Sequence, residues 1–273
     1  MLLLKNVRFT GSKNRESLID FHLPRHFNGE IILFIHGYMG FKDWGAWNLL
    51  EKYFTDRQYG FCKFNMSHNG GTVDNGIDFP DPAAFAENNY STERNDVSCV
   101  LNWIATQVTP LPAIHLLGHS RGGGIALLSA ADHRVSSVMS LAGISSVEQR
   151  FEGAQMLADW QSQGVKYVTN QRTKQNLPLN YSQYVDFVQH RDQLNIEQAC
   201  QRLQKPVLLI HGEADTSVPI AEGEQLSQWL DVPLHRIAGA DHVFGSMHPW
   251  ESDQLPVLLE RVGEEVLAFL GSF

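Results

Sequence analysis

Gly118-His119-Ser120-Arg121-Gly122 is the stretch from which the rest of this chain is read. An apolar run, Ala113 to Leu117, leads into it, and Gly123-Gly124-Ile125-Ala126-Leu127-Leu128 follows as the first turns of a buried helix. Strand, tight turn and helix give the G-x-S-x-G pattern its chemistry. The turn holds the serine in a strained backbone conformation with its hydroxyl exposed, and the flanking glycines remove side chains that would collide. Ser120 is therefore the candidate nucleophile. The pattern alone is weak, since a glycine-rich turn satisfies it, but the strand before it and the helix after it lie outside the pattern and add weight.

With 273 residues the chain can bury a large core. α/β chains of this size commonly form one domain, so a single domain over 1–273 is expected. Its 21 Lys plus Arg stand against 30 Asp plus Glu, a formal charge of −9. That balance repels phosphate backbones and anionic lipid, so neither nucleic acid nor a membrane is expected as partner. Cys62, Cys99 and Cys200 are odd in number and outside any C-x-x-C spacing, which reads as reduced thiols in a cytoplasmic protein. Met1-Leu2-Leu3-Leu4-Lys5 is too short for the apolar core of a signal peptide, and no run approaches the ~18 apolar residues of a membrane span.

Outward from the serine, short strands are expected at 3–9 and 17–23, forming an edge hairpin ended by Pro24. Ile31 to Ile35 is apolar without alternation, as in a parallel strand covered on both faces, and breaks at His36-Gly37-Tyr38-Met39-Gly40. Trp47, Leu50 and Phe54 give 44–57 helical spacing, and 61–65 is the next strand. Residues 66–89, rich in Gly, Asn, Asp and Pro, are too long for an ordinary connection and read as a functional or mobile loop. A helix over 92–108 precedes the Ser120 strand, and 135–141 is a strand beyond it. Strands alternating with helices imply a mostly parallel sheet flanked by helices. Residues 144–204 interrupt the alternation, and their polar, helix-compatible sequence reads as an inserted helical cap or a surface elaboration. The alternation resumes with a strand at 206–210, a helix at 221–230, a strand at 233–238 and a closing helix at 254–270.

A serine needs a base in contact and a third group to hold that base. In open α/β sheets such groups sit on loops at the carboxyl ends of strands. His242, in Gly239-Ala240-Asp241-His242, directly follows the last strand, whereas His235 falls within it and His248 precedes Pro249 at the approach to the final helix. His242 is the preferred base, with His248 as the alternative. The loop His211-Gly212-Glu213-Ala214-Asp215 offers Glu213 and Asp215 as the acid. Asp215 lies deeper in the loop and is preferred. Asp241 is read as a turn former, because neighbouring side chains in an extended loop diverge. Two backbone amides are assigned to a developing oxyanion: Arg121, at the start of the helix, and Tyr38, in the turn after the early buried strand.

Ser120, Asp215 and His242 in that order, with His36-Gly37, resemble the α/β-hydrolase superfamily from about residue 30 to the C-terminus. Gly212-Glu213-Ala214-Asp215 with Val218-Pro219, and Gly239-Ala240-Asp241-His242 with Phe244, are most similar to its dienelactone hydrolase, feruloyl-esterase-like and prolyl-oligopeptidase-like branch. The resemblance implies a serine nucleophile, acyl-enzyme chemistry and no cofactor or metal. Two features depart from the pattern: Met66-Ser67-His68-Asn69-Gly70-Gly71 replaces a compact turn common in relatives, and Arg121 stands beside the nucleophile. That cation is expected either to favour an anionic acyl group or to pair with a carboxylate of the cap. The expected activity is hydrolysis of a small carboxylic ester, with a peptidase or thioesterase on the same triad, or a non-catalytic binding module, as alternatives. No H-E-x-x-H spacing supports a metalloenzyme.

Overall fold

The computed structural model of the chain describes residues 1–151 and 153–272. Its strands are β1 (Leu2–Thr10), β2 (Glu16–Leu23), β3 (Glu30–Ile35), β4 (Gly60–Phe64), β5 (Ala113–His119), β6 (Val135–Leu141), β7 (Val165–Thr169), β8 (Asn176–Asn180), β9 (Val207–Gly212) and β10 (Leu234–Ile237). Its helices are α1 (Trp47–Thr55), α2 (Pro82–Glu87), α3 (Tyr90–Gln107), α4 (Arg121–Ser129), α5 (Ala154–Gln163), α6 (Ser182–Gln189), α7 (Ile196–Arg202), α8 (Ile220–Leu230) and α9 (Val257–Leu270).

The main sheet has the order β1-β2-β4-β3-β5-β6-β9-β10. From β4 to β10 every neighbouring pair is parallel, while β1 and β2 form the expected antiparallel hairpin at one edge. Side chains of successive strand residues point to opposite faces, and both faces are covered. Ile31, Leu33 and Ile35 of β3 therefore pack in a core with Val97, Val100 and Leu101 of α3 and Ile125 of α4. Ile32 and Phe34 pack in a second core with Leu50 and Phe54 of α1 and Val262 and Val266 of α9. The apolar, non-alternating sequence of β3 has its cause here.

β3 pairs with β4 on one side and β5 on the other, so the strand order reverses at β3. At such a switch point the loops leaving the two strands diverge and open a crevice at the carboxyl ends. Ile35 is in register with Gly118, which brings the turn after β3 against the turn after β5.

The 144–204 segment is not helical throughout. β7 and β8 form an antiparallel hairpin between α5 and α6. The β-branched content of Val165-Lys166-Tyr167-Val168-Thr169 was its sequence signal, masked by Gln-rich flanks and by Pro178 in the partner strand. Phe151, Trp160, Leu177, Leu179, Phe187 and Ile196 join the core that holds Ile35 and Ile125. The 66–89 stretch is packed rather than loose: Arg15 Nε donates to the Ser67 carbonyl at 2.7 Å, its guanidinium meets Asp81 at 2.7 Å, and Ser67 N–H donates to Asp96 at 2.8 Å. Asp81 also caps α2, accepting from Ala84 N–H at 3.0 Å. The two segments clasp each other, with Arg172 donating to Asp78 at 2.8 Å and Gln175 to the Phe79 carbonyl at 3.2 Å.

Candidate active site

Ser120 sits at φ 58° and ψ −123°, between the end of β5 and the start of α4. A non-glycine residue held there carries strain that the surroundings must enforce. Its N–H donates to the Leu141 carbonyl at 2.8 Å, and its carbonyl accepts from Gly123 N–H at 2.9 Å. The flanking glycines are required by close approach: a Cβ on Gly118 would stand 2.1 Å from the Gly122 carbonyl oxygen, and one on Gly122 would stand 2.2 Å from that of Ile35. Gly37 is equally confined, since a Cβ there would lie 2.9 Å from Ser120 Cβ. The two turns touch, as the switch point requires.

Asp215 follows β9 and turns its carboxylate inward, with its side chain fully shielded from solvent. Oδ1 accepts from the N–H groups of Ser217 at 2.8 Å and Val218 at 2.9 Å. Oδ2 receives His242 Nδ1 at 2.7 Å, and His211 Nε2 lies 3.3 Å away. Burial works against this carboxylate. The bonds from His211, His242 and the Val218 amide outweigh it and hold the Asp215 pKa well below the usual carboxylate value. Donation from Nδ1 leaves Nε2 of His242 as its basic nitrogen.

The competing residues lie elsewhere. Glu213 is exposed. Asp241 Oδ1 accepts from Val243 N–H at 3.2 Å and Gly245 N–H at 2.8 Å, the turn-forming role read from the sequence. His248 Nδ1 accepts from Gly45 N–H at 2.9 Å and its ring stacks on Trp44. His235 pairs with Glu265 at 2.7 Å.

Ser120 and His242 line one cavity of about 440 Å³, together with Gly37, Tyr38, Trp44, His119 and the hairpin-tip residues 169–172. The N–H groups of Tyr38 and Arg121 donate to no acceptor among the described residues. His36 sets the turn that carries Tyr38: its Nδ1 donates to the Gly37 carbonyl at 2.8 Å and its Nε2 accepts from Met66 N–H at 3.0 Å. Burial holds the His36 pKa down at about 4, so the ring stays neutral and can play both parts. Arg121 pairs with Glu93 of α3 at 3.2 Å rather than with a carboxylate of the inserted segment, and its guanidinium lies between the Tyr38 and Tyr90 rings.

Three histidines support the site: His36, whose dipeptide with Gly37 the sequence marks, and His119 and His211, to which the sequence reading gives no role. His119 Nε2 donates to the His242 carbonyl at 2.8 Å, and its ring lies against those of Trp47 and His242. His211 braces Asp215, and the His36 ring anchors the turn beside Ser120. Each is the last or next-to-last residue of its strand or the first residue after it, a shared position that was the available signal. Among the described residues no three His, Cys, Asp or Glu side chains gather as a metal ion would require, and no helix is long and apolar enough to cross a membrane.

A family model described as alpha/beta hydrolase fold matches residues 30–179. A Bacillus subtilis protein named as an uncharacterized peptidase, YtmA, is 31% identical over 125 residues, 45% of this chain, and the match spans 42% of that relative's length. Among solved structures, a protein from Agrobacterium vitis S4 that bears a hydrolase name is 18% identical, with 98% of this chain and 99% of that chain covered at a TM-score of 0.74. Est1E from Butyrivibrio proteoclasticus, solved with ferulic acid bound, is 16% identical, with 97% and 100% covered at a TM-score of 0.67.

Proposed function

The chain belongs to the alpha/beta hydrolase fold family, and from that premise we propose that it is a serine hydrolase acting on a small carboxylic ester. One observation carries the reading: a serine at positive φ on a strand-to-helix turn shares a cavity with a histidine whose Nδ1 is bonded to a buried carboxylate. In this mechanism His242 Nε2 takes the proton of Ser120 as its Oγ attacks the ester carbonyl. The N–H groups of Tyr38 and Arg121 stabilise the oxyanion. His242 then protonates the leaving alcohol, and water, deprotonated by the same nitrogen, releases the acid. Asp215 fixes the tautomer and orientation of His242 and stabilises the imidazolium. No cofactor enters this scheme.

The 144–204 segment acts as a cap in this reading, since its hairpin tip, residues 169–172, lines the cavity over Ser120. Three free thiols, two of them buried, support a reducing cytoplasmic setting. A peptidase reading has one observation in its favour, the name of the Bacillus subtilis relative. The same residues would cleave an amide or a thioester, and a binding module on this fold would have no need of the His242–Asp215 bond.

Turnover of p-nitrophenyl esters of increasing acyl length, set beside matched anilides and thioesters, separates these readings. Ester cleavage that Ser120→Ala abolishes is the expected result. A preference for anilides moves the peptidase reading to the front, and no cleavage of any of them moves the binding module there.

A further inference from the structure

A second cavity, of about 240 Å³, lies on the other side of Tyr38 from the Ser120 pocket, with Tyr38 in the lining of both. Arg121, Arg150, Lys166, Tyr90 and Trp160 also line it. Three cations at so small a cavity need counter-charges. Arg121 has Glu93 and Arg150 has Glu222, both carboxylates buried. Lys166 Nζ lies 3.8 Å from the centre of the Trp160 ring and 3.4 Å from Met156 Sδ, with no carboxylate within ion-pair distance among the described residues. One positive charge is therefore left over. Burial pushes the Lys166 pKa down from its ordinary value, the direction expected of an ammonium with no carboxylate beside it.

The polar atoms at this cavity are also incompletely matched. The hydroxyls of Tyr38 and Tyr90 and the Nε of Arg150 are buried without hydrogen-bond partners. Such groups are costly to leave unpaired. Burial pushes the Tyr38 pKa up to about 12, so its hydroxyl remains a donor at neutral pH.

Position ties the cavity to the reaction proposed above. Tyr38 and Arg121 are the two residues whose amides are assigned to the oxyanion, and both residues line it. Tyr38 is shared by the two linings, which makes this cavity a neighbour of the Ser120 pocket. The cavity is smaller than the ~300–1,000 Å³ typical of drug-sized ligands, which restricts it to a short chain.

We propose that this cavity is the acyl subsite and that it takes a short acyl chain ending in a carboxylate, so that the preferred substrates are monoesters of aliphatic dicarboxylic acids, with Lys166 as the group that selects the distal charge. The assignment rests on the hydrolase reading. On such a substrate the Ser120 Oγ–acyl bond forms as the acyl–oxygen bond breaks, the alcohol leaves with the bonding pair and a proton from His242, and water then frees the diacid.

The test compares p-nitrophenyl monoadipate with p-nitrophenyl hexanoate, esters of equal chain length that differ in the terminal carboxylate. The wild type is expected to prefer the adipate ester in kcat/KM by ~10-fold or more, the scale of one charge-assisted bond. Lys166→Met should collapse that ratio through the adipate KM, and Lys166→Arg should restore it. Lys166 lies on the partly exposed strand β7, so neither substitution removes a core residue. Hexanoate turnover without a carboxylate preference, or a preference that survives Lys166→Met, overturns the subsite and leaves the hydrolase reading standing. Failure to cleave either ester, with Ser120 inert to a serine-directed probe, overturns both.

Discussion

His119 donates from Nε2 to the carbonyl oxygen of His242 at 2.8 Å, so the residue before the candidate nucleophile fixes the backbone of the candidate base. The two rings lie 4.8 Å apart between centroids, and both cannot carry charge cheaply. Burial, with His242 facing it, holds the His119 pKa at about 3. His119 is thus a neutral donor that positions the loop after β10, and in the proposed reaction the proton transfer is left to His242.

That depression makes a prediction about stability and pH. The ordinary value for histidine is 6.5, so below it the unfolded chain takes up a proton that folded His119 refuses. Stability therefore falls as pH falls through this window, with a slope approaching ~1.4 kcal/mol per pH unit from this residue. Glutamine at 119 keeps a donor for the His242 carbonyl and removes the titration. Urea unfolding of His119→Gln should give a stability difference from wild type that shifts in favour of the variant by about 2–3 kcal/mol between about pH 6 and 4. Parallel curves for the two proteins would show that His119 titrates normally in the fold.

Asp215→Asn replaces an acceptor of three hydrogen bonds, from Ser217 N–H, Val218 N–H and His242 Nδ1, by a group that must present its own N–H₂ to one of these donors or to His211 Nε2 nearby. His242 loses the partner that sets its tautomer, and kcat for ester cleavage should fall by ~10³–10⁴. Asp241→Asn touches only its own turn and should leave kcat within about threefold. Equal losses in the two variants would remove Asp215 from the mechanism.

Gly37→Ala places a Cβ 2.9 Å from Ser120 Cβ and 3.2 Å from the His119 carbonyl oxygen. The turn carrying the Tyr38 amide must then shift away from the serine. We expect kcat to drop by roughly 10²-fold, the cost of a displaced oxyanion donor, with KM changed less. A loss confined to KM would argue that the Tyr38 amide does not face the reacting carbonyl.

Arg172→Ala cuts the clasp between the hairpin tip and the Asp78 loop, losing bonds to Asp78 and the Ile77 carbonyl. If the tip acts as a cap, KM for longer acyl esters should change by about fivefold or more while short esters are spared. Uniform kinetics across the series would make the hairpin a surface feature.

The sheet was legible because β3, β5 and β9 are buried on both faces, which leaves apolar runs that no surface element would carry. Asp215 and His242 could be picked from their positions at strand ends, since a parallel sheet delivers all its carboxyl ends to one crevice. The β7–β8 hairpin was hidden because its pairing is stabilised by long-range contacts such as Trp160 Nε1 to the Leu179 carbonyl at 2.7 Å, which local propensity does not encode. The partner of Arg121 was misplaced for a similar reason. Glu93 lies on α3, far from Arg121 in sequence, and only the packing of α3 on α4 brings them together. His119 and His211 carry no sequence pattern of their own, because the work of their Nε2 atoms is to hold backbone carbonyls, those of His242 at 2.8 Å and Val218 at 2.9 Å.

Reaction of the folded protein with a fluorophosphonate, followed by mass mapping of the modified peptide, tests the central claim most directly. A single adduct on Ser120, absent in Ser120→Ala and slowed by a competing ester, is the predicted result. Ester turnover by a protein whose Ser120 stays unmodified, or an adduct on another serine, would contradict it.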